Sequence, residues 1–141
     1  MSAGLRDQRG FTLIELLVVI VIIAILAAIA IPIFLEQKEK GFEAQMQSGL
    51  KDAATAVESY GTDHGGDYSG LNTSTNPDYA TKLAAEGFRI PSGFTYLNVV
   101  VTGNSYCIEA RHSMLTASSG WRRSTYLQNS GGPQPTPDNC P

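Results

Sequence analysis

The 141-residue sequence has little that indicates catalysis or metal binding. Its two histidines, His64 and His112, lie in unrelated segments without the spacing of metal ligands. No serine stands in a nucleophile motif, and no glycine-rich loop of the phosphate-binding kind is present. Asp63 and Asp67 border a glycine-rich loop that is interpreted as a solvated turn rather than a calcium site. We therefore expect no enzyme activity, no metal and no cofactor.

The sequence also lacks a large excess of charge of either sign. Ten basic and thirteen acidic residues give a formal net charge of -3 and a pI of about 5.3. This balance provides no general attraction to nucleic acid or to anionic lipid. Arg122 and Arg123, beside Trp121, are interpreted as a solvated strand edge, with contact to single-stranded DNA as the alternative. Nucleic acid is not an expected partner.

Cysteine is scarce, and the two that occur exclude a CxxC redox motif because Cys107 and Cys140 are far apart. Both lie outside the apolar part of the chain. An even pair in a chain that crosses a membrane indicates an oxidising destination.

Polar residues are nearly absent between Phe11 and Leu35, where only Thr12 and Glu15 interrupt the apolar side chains. From Leu16 onward the stretch is uninterrupted, and at 1.5 Å per residue it spans about 30 Å, the thickness of a bilayer's hydrocarbon core. Residues 11–35 are therefore predicted to form a transmembrane helix.

Residues 1–10 contain Arg6, Asp7 and Arg9 but no apolar run, so they are interpreted as a cytosolic leader. By the positive-inside rule the two arginines predict a single-pass membrane protein with its N-terminus in the cytoplasm. An ordinary secretory signal peptide is the alternative. Against it, the apolar run is too long, carries the acidic Glu15 near its start and ends without a small-x-small cleavage site.

An amphipathic helix is predicted over residues 36–60 and continues the apolar helix. Larger apolar residues recur every three or four positions, with Ala53 and Ala54 between them. These residues are Phe42, Met46, Leu50, Val57 and Tyr60. One helix from Phe11 to Tyr60 would measure roughly 75 Å. Gly61 is predicted to stop it, and Pro32 to bend it.

The run Gly10-Phe11-Thr12-Leu13-Ile14-Glu15, followed by Leu16 to Ile20 and by Ala27 to Pro32, resembles the N-terminus of type IV pilins and type II secretion pseudopilins. The resemblance implies a peptidase that cuts after Gly10 and methylates the new amine of Phe11. It also implies assembly through Phe11, Glu15 and Pro32, with the Glu15 carboxylate paired to the amine of a neighbouring subunit. The alternative places Glu15 near the lipid headgroups.

One departure is Ala24, which stands where many pilins carry a glycine, and it weakens the expectation that the helix melts between Ala24 and Pro32 in a filament. The segment from Pro32 to Lys40 is similar to pilins of Gram-positive bacteria.

The resemblance predicts an α+β fold, in which the long N-terminal α-helix packs against a small antiparallel sheet in a head of residues 61–141. A short helix is predicted to begin at Asn76-Pro77-Asp78 and to run to about Glu86, where Gly87 would stop it. Three strands are predicted in a meander. They cover Phe94 to Val101, Ser105 to Arg111 and Trp121 to Leu127.

The tail from Gly131 to Pro141 is too rich in glycine and proline for a helix or a central strand. A bridge from Cys140 to Cys107 would tie it down, as in the disulfide-bounded region of many pilins, and two free thiols are the alternative. Most pseudopilins lack such a pair and carry a calcium-binding loop instead.

The predicted function is a structural pilus subunit that leaves the cytoplasmic membrane to form an extracellular filament for adhesion, motility or DNA uptake. Its expected partners are the prepilin peptidase, other pilin subunits and, indirectly, the assembly platform and ATPase. A type II secretion pseudopilin and a DNA-binding competence pilin are the alternatives.

Overall fold

The computed structural model describes residues 10–115, 123–127, 133–135 and 140. Two helices, a short 3₁₀ helix and four strands occur in them. In chain order they are α1 (Leu13–Asp63), the 3₁₀ helix (Ser69–Leu71), α2 (Tyr79–Ala85), β1 (Phe94–Thr102), β2 (Ser105–His112), β3 (Arg123–Leu127) and β4 (Pro133–Pro135). The chain divides into two compact units, one ending at Gln37 and the other, the head, beginning at Lys38.

The first unit is the apolar part of α1. Its large apolar side chains are exposed from Phe11 to Leu35. Within the described residues, α1 is the one helix whose length and composition suit a membrane span. Pro32 lies inside α1 and the helical assignment continues through it, so the predicted bend at this position stays a prediction.

The head is built on the rest of α1, whose apolar stripe is buried as its spacing predicted. Met46, Leu50 and Val57 are fully enclosed, and Phe42 is partly buried at the edge of the same core. The sheet supplies the opposite side of the core through Leu97, Val99, Tyr106, Ile108 and Ala110. Burial of an aliphatic side chain of this size contributes about 1.5–3 kcal/mol, so this stripe holds the helix and the sheet together.

The prediction that Gly61 stops the helix is wrong. Gly61 is buried inside α1, and the Tyr68 ring occupies the place where a Cβ atom would lie. The helix ends two residues later, at Asp63, and Gly65 follows with a φ of 65°. The Gly66 N–H donates to the Gly61 carbonyl at 2.7 Å, the six-to-one bond of a Schellman motif. Gly61 therefore serves close packing, and Gly65 provides the stop.

The sheet is an antiparallel meander in the order β1-β2-β3-β4, so the three predicted strands are confirmed. The third begins at Arg123, whereas the predicted start, Trp121, lies outside the described residues. The sheet also contains a fourth strand, β4, which the sequence did not predict. Two of its three residues are prolines, which a sheet tolerates at an edge where no N–H is needed.

The two faces of the sheet follow from the strand register. Leu97 pairs with Ala110, Val99 with Ile108 and Val101 with Tyr106, and these side chains face α1. Cys107 alternates with them and so lies on the opposite face of the sheet. The short α2 ends at Ala85. Its N-cap residue, Asp78, makes no side-chain capping bond, and the Asp78 Oδ2 atom lies 3.4 Å from Lys82 Nζ.

Candidate assembly site at the start of the long helix

The start of α1 is closed by a reciprocal pair of side chains, Thr12 and Glu15. The Thr12 backbone N–H and the Thr12 hydroxyl both donate to Glu15 Oε2 at 2.8 Å. In return, the Glu15 N–H donates to Thr12 Oγ1 at 3.3 Å. This is a capping box, which satisfies backbone N–H groups that a helix leaves without partners in its first turn.

The capping box determines where the helix begins. Gly10, Phe11 and Thr12 lie outside α1, and the Phe11 side chain is 92 % exposed. A Cβ atom added at Gly10 would meet nothing within 4 Å. The Gly10–Phe11 peptide is thus exposed and non-helical, which is the form in which a protease binds its substrate.

The structure gives Glu15 a partner that was not predicted. The predicted partner was the amine of a second subunit, and the single chain brings the carboxylate to Thr12 of its own helix. The pattern Thr-x-x-Glu before an apolar run is the sequence signal of a capping box and would have revealed this contact. Thr12 directly follows Phe11, so the carboxylate contacts the residue next to the amine that cleavage before Phe11 would create.

From Leu16 to Leu35, the surface of α1 is apolar on all sides. Its large side chains are each about half exposed or more, and Glu15 is the one charged residue in residues 11–35. A helix of this kind is stable in lipid or among apolar helices rather than in water.

The start of the chain, which includes this site, matches a known family model. Residues 5–31 match the model of the family described as "Prokaryotic N-terminal methylation motif". The matched segment contains the Gly10–Phe11 peptide, the capping box and most of the apolar helix.

The whole chain is similar to the type IV wide pilus major component PilA4 of Thermus thermophilus. The two are 34 % identical over 142 residues, which cover 97 % of this chain and all of the relative. The chain belongs to the type IV pilin family.

Two further relatives place this pilin within the family. It is 34 % identical over 129 residues to the prepilin peptidase-dependent protein D of Escherichia coli, covering 86 % of each chain. It is 38 % identical to the type II secretion system core protein G of Klebsiella pneumoniae, but over only 60 residues and 43 % of each chain. No solved structure matches the pilin significantly.

A disulfide ties the end of the pilin to its sheet. Cys107 of β2 and Cys140 are bonded, with 5.6 Å between their Cα atoms and a sequence separation of 33. Cys107 is buried on the face of the sheet away from α1. The bridge therefore brings Cys140 to the face of the sheet opposite α1.

A glutamate on α1 holds two tyrosines of the head, a contact that no sequence pattern indicated. The Tyr68 hydroxyl donates to Glu58 Oε2 at 2.9 Å, and the Tyr106 hydroxyl donates to Glu58 Oε1 at 2.8 Å. Tyr106 is 3 % exposed, and burial, followed by the Glu58 carboxylate, raises its pKa above the ordinary value. Glu58 thus joins α1, the loop that follows it and β2.

The two histidines are in separate places. His64 stacks on Tyr60 with 3.8 Å between ring centroids, and its Nδ1 lies 2.8 Å from the Tyr60 carbonyl oxygen. His112 is enclosed at the end of β2. In the part of the chain that the structure describes, no group of three His, Cys, Asp or Glu side chains is arranged to hold a metal ion.

Of the two aspartates considered as calcium ligands, Asp63 is the last residue of α1 and Asp67 has a structural role. Its Oδ1 accepts the Ser69 backbone N–H at 2.8 Å, and this bond lowers the pKa of the Asp67 carboxyl below its usual value. The alternative of contact with single-stranded DNA depends on Trp121, Arg122 and Arg123. Trp121 and Arg122 lie outside the described residues, and Arg123 begins β3.

Proposed function

We propose that this pilin is synthesised as a membrane-held precursor, cut between Gly10 and Phe11 and methylated on the new amine. It is then assembled into an extracellular type IV pilus as a structural subunit. The observation that carries this proposal is the exposed apolar part of α1, from Leu13 to Leu35, which begins two residues after an exposed, non-helical Gly10–Phe11 peptide. The match to the methylation motif and the full-length similarity to a wide-pilus major component support it.

Each part of the chain has a separate role in this proposal. Residues 1–10 are a leader that is removed, and residues 11–35 anchor the precursor in the membrane and later form the filament core. Residues 36–60 carry the amphipathic part of the helix into the head, and residues 61–141 complete the head. Pro32 is proposed to bend the helix within the filament.

Glu15 is proposed to select the axial register between subunits. Apolar helices pack on one another by shape alone and can slide, whereas a buried carboxylate without a partner is unfavourable. The amine of Phe11 on a neighbouring subunit provides that partner. Support comes from the capping box, because it already holds the carboxylate at the end of the helix where the new amine would lie.

The topology is proposed from charge. Arg6 and Arg9 precede the apolar helix, which favours a cytosolic N-terminus and an outward-facing head. The partners are then a prepilin peptidase, further copies of the pilin and, indirectly, an assembly platform and ATPase. The proposed origin in a Gram-positive bacterium rests on residues 32–40 alone.

Intact-mass analysis of filaments sheared from cells tests the processing step. The expected mass is that of residues 11–141 with one methyl group and one disulfide. Removal of Arg6, Asp7 and Arg9 leaves 8 basic and 12 acidic residues of the original 10 and 13, so the formal side-chain charge becomes -4.

Two leader variants provide a matched comparison. Gly10→Val places a branched side chain beside the scissile peptide and should block cleavage, whereas Gly4→Val, in the same leader, should be cleaved normally. Recovery of surface filaments that retain Met1, or that begin beyond Pro32, would contradict the proposal.

A secretion pseudopilin is the second candidate, favoured by the partial similarity to the secretion core protein of Klebsiella pneumoniae. The full-length alignment with the Thermus wide-pilus component, together with the disulfide, favours the pilus. Deletion of the gene distinguishes them. Loss of surface filaments with normal protein secretion supports the pilus, and the reverse supports the pseudopilin.

A further inference from the structure

His112 is a titratable side chain sealed inside the head. It is the last residue of β2 and only 2 % exposed. Its ring lies between two aromatic side chains, with centroid distances of 5.3 Å to Phe42 of α1 and 5.9 Å to Phe94 of β1. Phe42 stands about one turn after Lys38, where the head begins. His112 therefore contacts the first turns of the head helix.

The hydrogen bonds of the ring correspond to its neutral form. Nδ1 accepts the Met114 backbone N–H at 3.2 Å, so the imidazole proton is on Nε2. Nε2 is buried and has no hydrogen-bond partner among the described residues. Gly93 packs against it with a φ of 93°, and a Cβ atom on Gly93 would lie 2.5 Å from Nε2. The ring is thus enclosed by backbone at a position that requires glycine.

In the part of the chain that the structure describes, no carboxylate accepts a hydrogen bond from His112 Nε2. On α1, the Lys38 ammonium lies 5.8 Å from the centroid of the Phe42 ring, a residue that touches His112, and it carries the same charge. Glu39 and Glu43 stand three residues before and one residue after Phe42, each takes part in an interaction, and neither carboxylate is hydrogen-bonded to His112 Nε2.

The other two elements that the structure describes around the ring add no partner either. Glu109 and Arg111, the charged residues of β2, alternate onto the opposite face of the strand and lie 4.0 Å apart. From β1 and the loop before it the ring meets Phe94 and Gly93, which are uncharged. Among the described residues, a proton added to His112 would therefore be buried with no carboxylate hydrogen-bonded to Nε2.

We propose that His112 is an acid-sensitive latch, which in its neutral form holds the Phe42 turn of α1 against the end of β2 and which releases that turn when the ring is protonated. Burial lowers the pKa of His112 below its ordinary value, in agreement with this arrangement. The opened head therefore binds the proton more tightly than the closed head. The contribution of the latch to the stability of the closed head is therefore fully present above about pH 6.5 and decreases as the pH falls below that value.

The expected size of the pH effect follows from the binding of one proton to His112 in the opened head. If the closed head does not bind it, the equilibrium constant for opening rises about tenfold between pH 7.5 and pH 5.5, given an opened-state pKa of about 6.5. Carboxyl groups of ordinary pKa titrate mostly below this range, and the Phe11 amine is common to all variants of the mature chain, so differences between the variants report histidine. The chain has only two histidines, and His64, which stacks on Tyr60 away from this site, provides a natural control.

The test is urea unfolding of the mature, disulfide-bonded chain in detergent micelles at pH 7.5, 6.5 and 5.5, followed by circular dichroism. Wild type and His64→Gln should lose stability over this range by the same amount. His112→Phe, which keeps a ring and removes the titration, should lose little or none. Equal pH dependence in wild type and His112→Phe, or its disappearance in His64→Gln, would overturn the proposal.

A measurement on the native protein covers the case in which His112→Phe does not fold. The imidazole carbon signals of the two histidines are followed by NMR from pH 7.5 to 5.5, and the His64→Gln variant assigns them. The His112 signal should show a neutral ring in the closed head throughout. Full protonation of His112 at pH 5.5 with the head still closed would show that Phe42 and Phe94 accommodate the cation, and the latch would be refuted.

Discussion

The contact between Tyr106 and Glu58 should be one of the strongest polar interactions in the head. Tyr106→Phe removes a buried hydroxyl that donates to a carboxylate at 2.8 Å and leaves the ring in place. A hydrogen bond to a charged group contributes about 1.5–3 kcal/mol to stability, compared with about 1 kcal/mol for a bond between neutral groups. We expect Tyr106→Phe to destabilise the head by about 2 kcal/mol.

Tyr79→Phe is the matched control. The Tyr79 hydroxyl also bonds across the head, at 3.0 Å, but its acceptor is the uncharged Leu97 carbonyl. Tyr79→Phe should lower the free energy of unfolding by about 1 kcal/mol. Both values come from urea unfolding of the mature chain followed by circular dichroism, and the double variant Glu58→Gln with Tyr106→Phe measures the coupling between the two residues. If Tyr106→Phe costs no more than Tyr79→Phe, or if no coupling is found, the charge on Glu58 does not strengthen the bond.

Alkaline pH tests the same contact independently. Burial and Glu58 raise the pKa of Tyr106 in the folded head, so the folded head keeps a proton that the unfolded chain loses above about pH 10. This contribution to stability is fully present below about pH 10 and is lost as the pH rises. For one proton, the unfolding constant increases by up to about tenfold per pH unit. Tyr106→Phe should lose less stability than wild type over this range.

Two further predictions concern assembly and the tail. Glu15→Ala should leave membrane insertion and cleavage intact but yield few or no pili by electron microscopy, and Glu15→Gln, which keeps an acceptor for Thr12, should fail equally if the charge is what matters. Normal assembly of Glu15→Gln alone would assign Glu15 to helix capping only. Cys107→Ser should destabilise the head by about 3–4 kcal/mol through loss of a loop closure of about 34 residues. In that variant proteolysis should cut the tail before the head unfolds, and simultaneous loss of both would contradict a local role.

The capping box and the Glu58 contact differ in how far they could be predicted. Thr12 and Glu15 are three positions apart, and their contact depends only on the local geometry of a helix start, so the sequence contains the whole signal. Glu58 and Tyr106 are 48 positions apart, and no local pattern indicates that their side chains meet. Helical periodicity assigns Glu58 to a half-solvated face and gives no sign of this partner.

Gly61 and β4 show why the remaining details were missed. A glycine near the end of a helix is a reasonable stop signal, but the space at Gly61 is taken by the Tyr68 ring, which arrives from the following loop. The prolines of β4 argue against a strand, yet they are accommodated at a sheet edge beside β3. In both cases the decisive neighbour comes from another element.

The sequence by itself determined the features that depend on neighbouring residues or on composition. The apolar run of residues 11–35, the motif at Gly10–Phe11, the stripe from Phe42 to Tyr60 and the three strands all have periods or lengths that can be counted along the chain. The tertiary structure alone decided what each buried polar group meets. His112 lies between Phe42 and Phe94, and the Tyr106 hydroxyl donates to Glu58, because packing brings together residues that are distant in sequence.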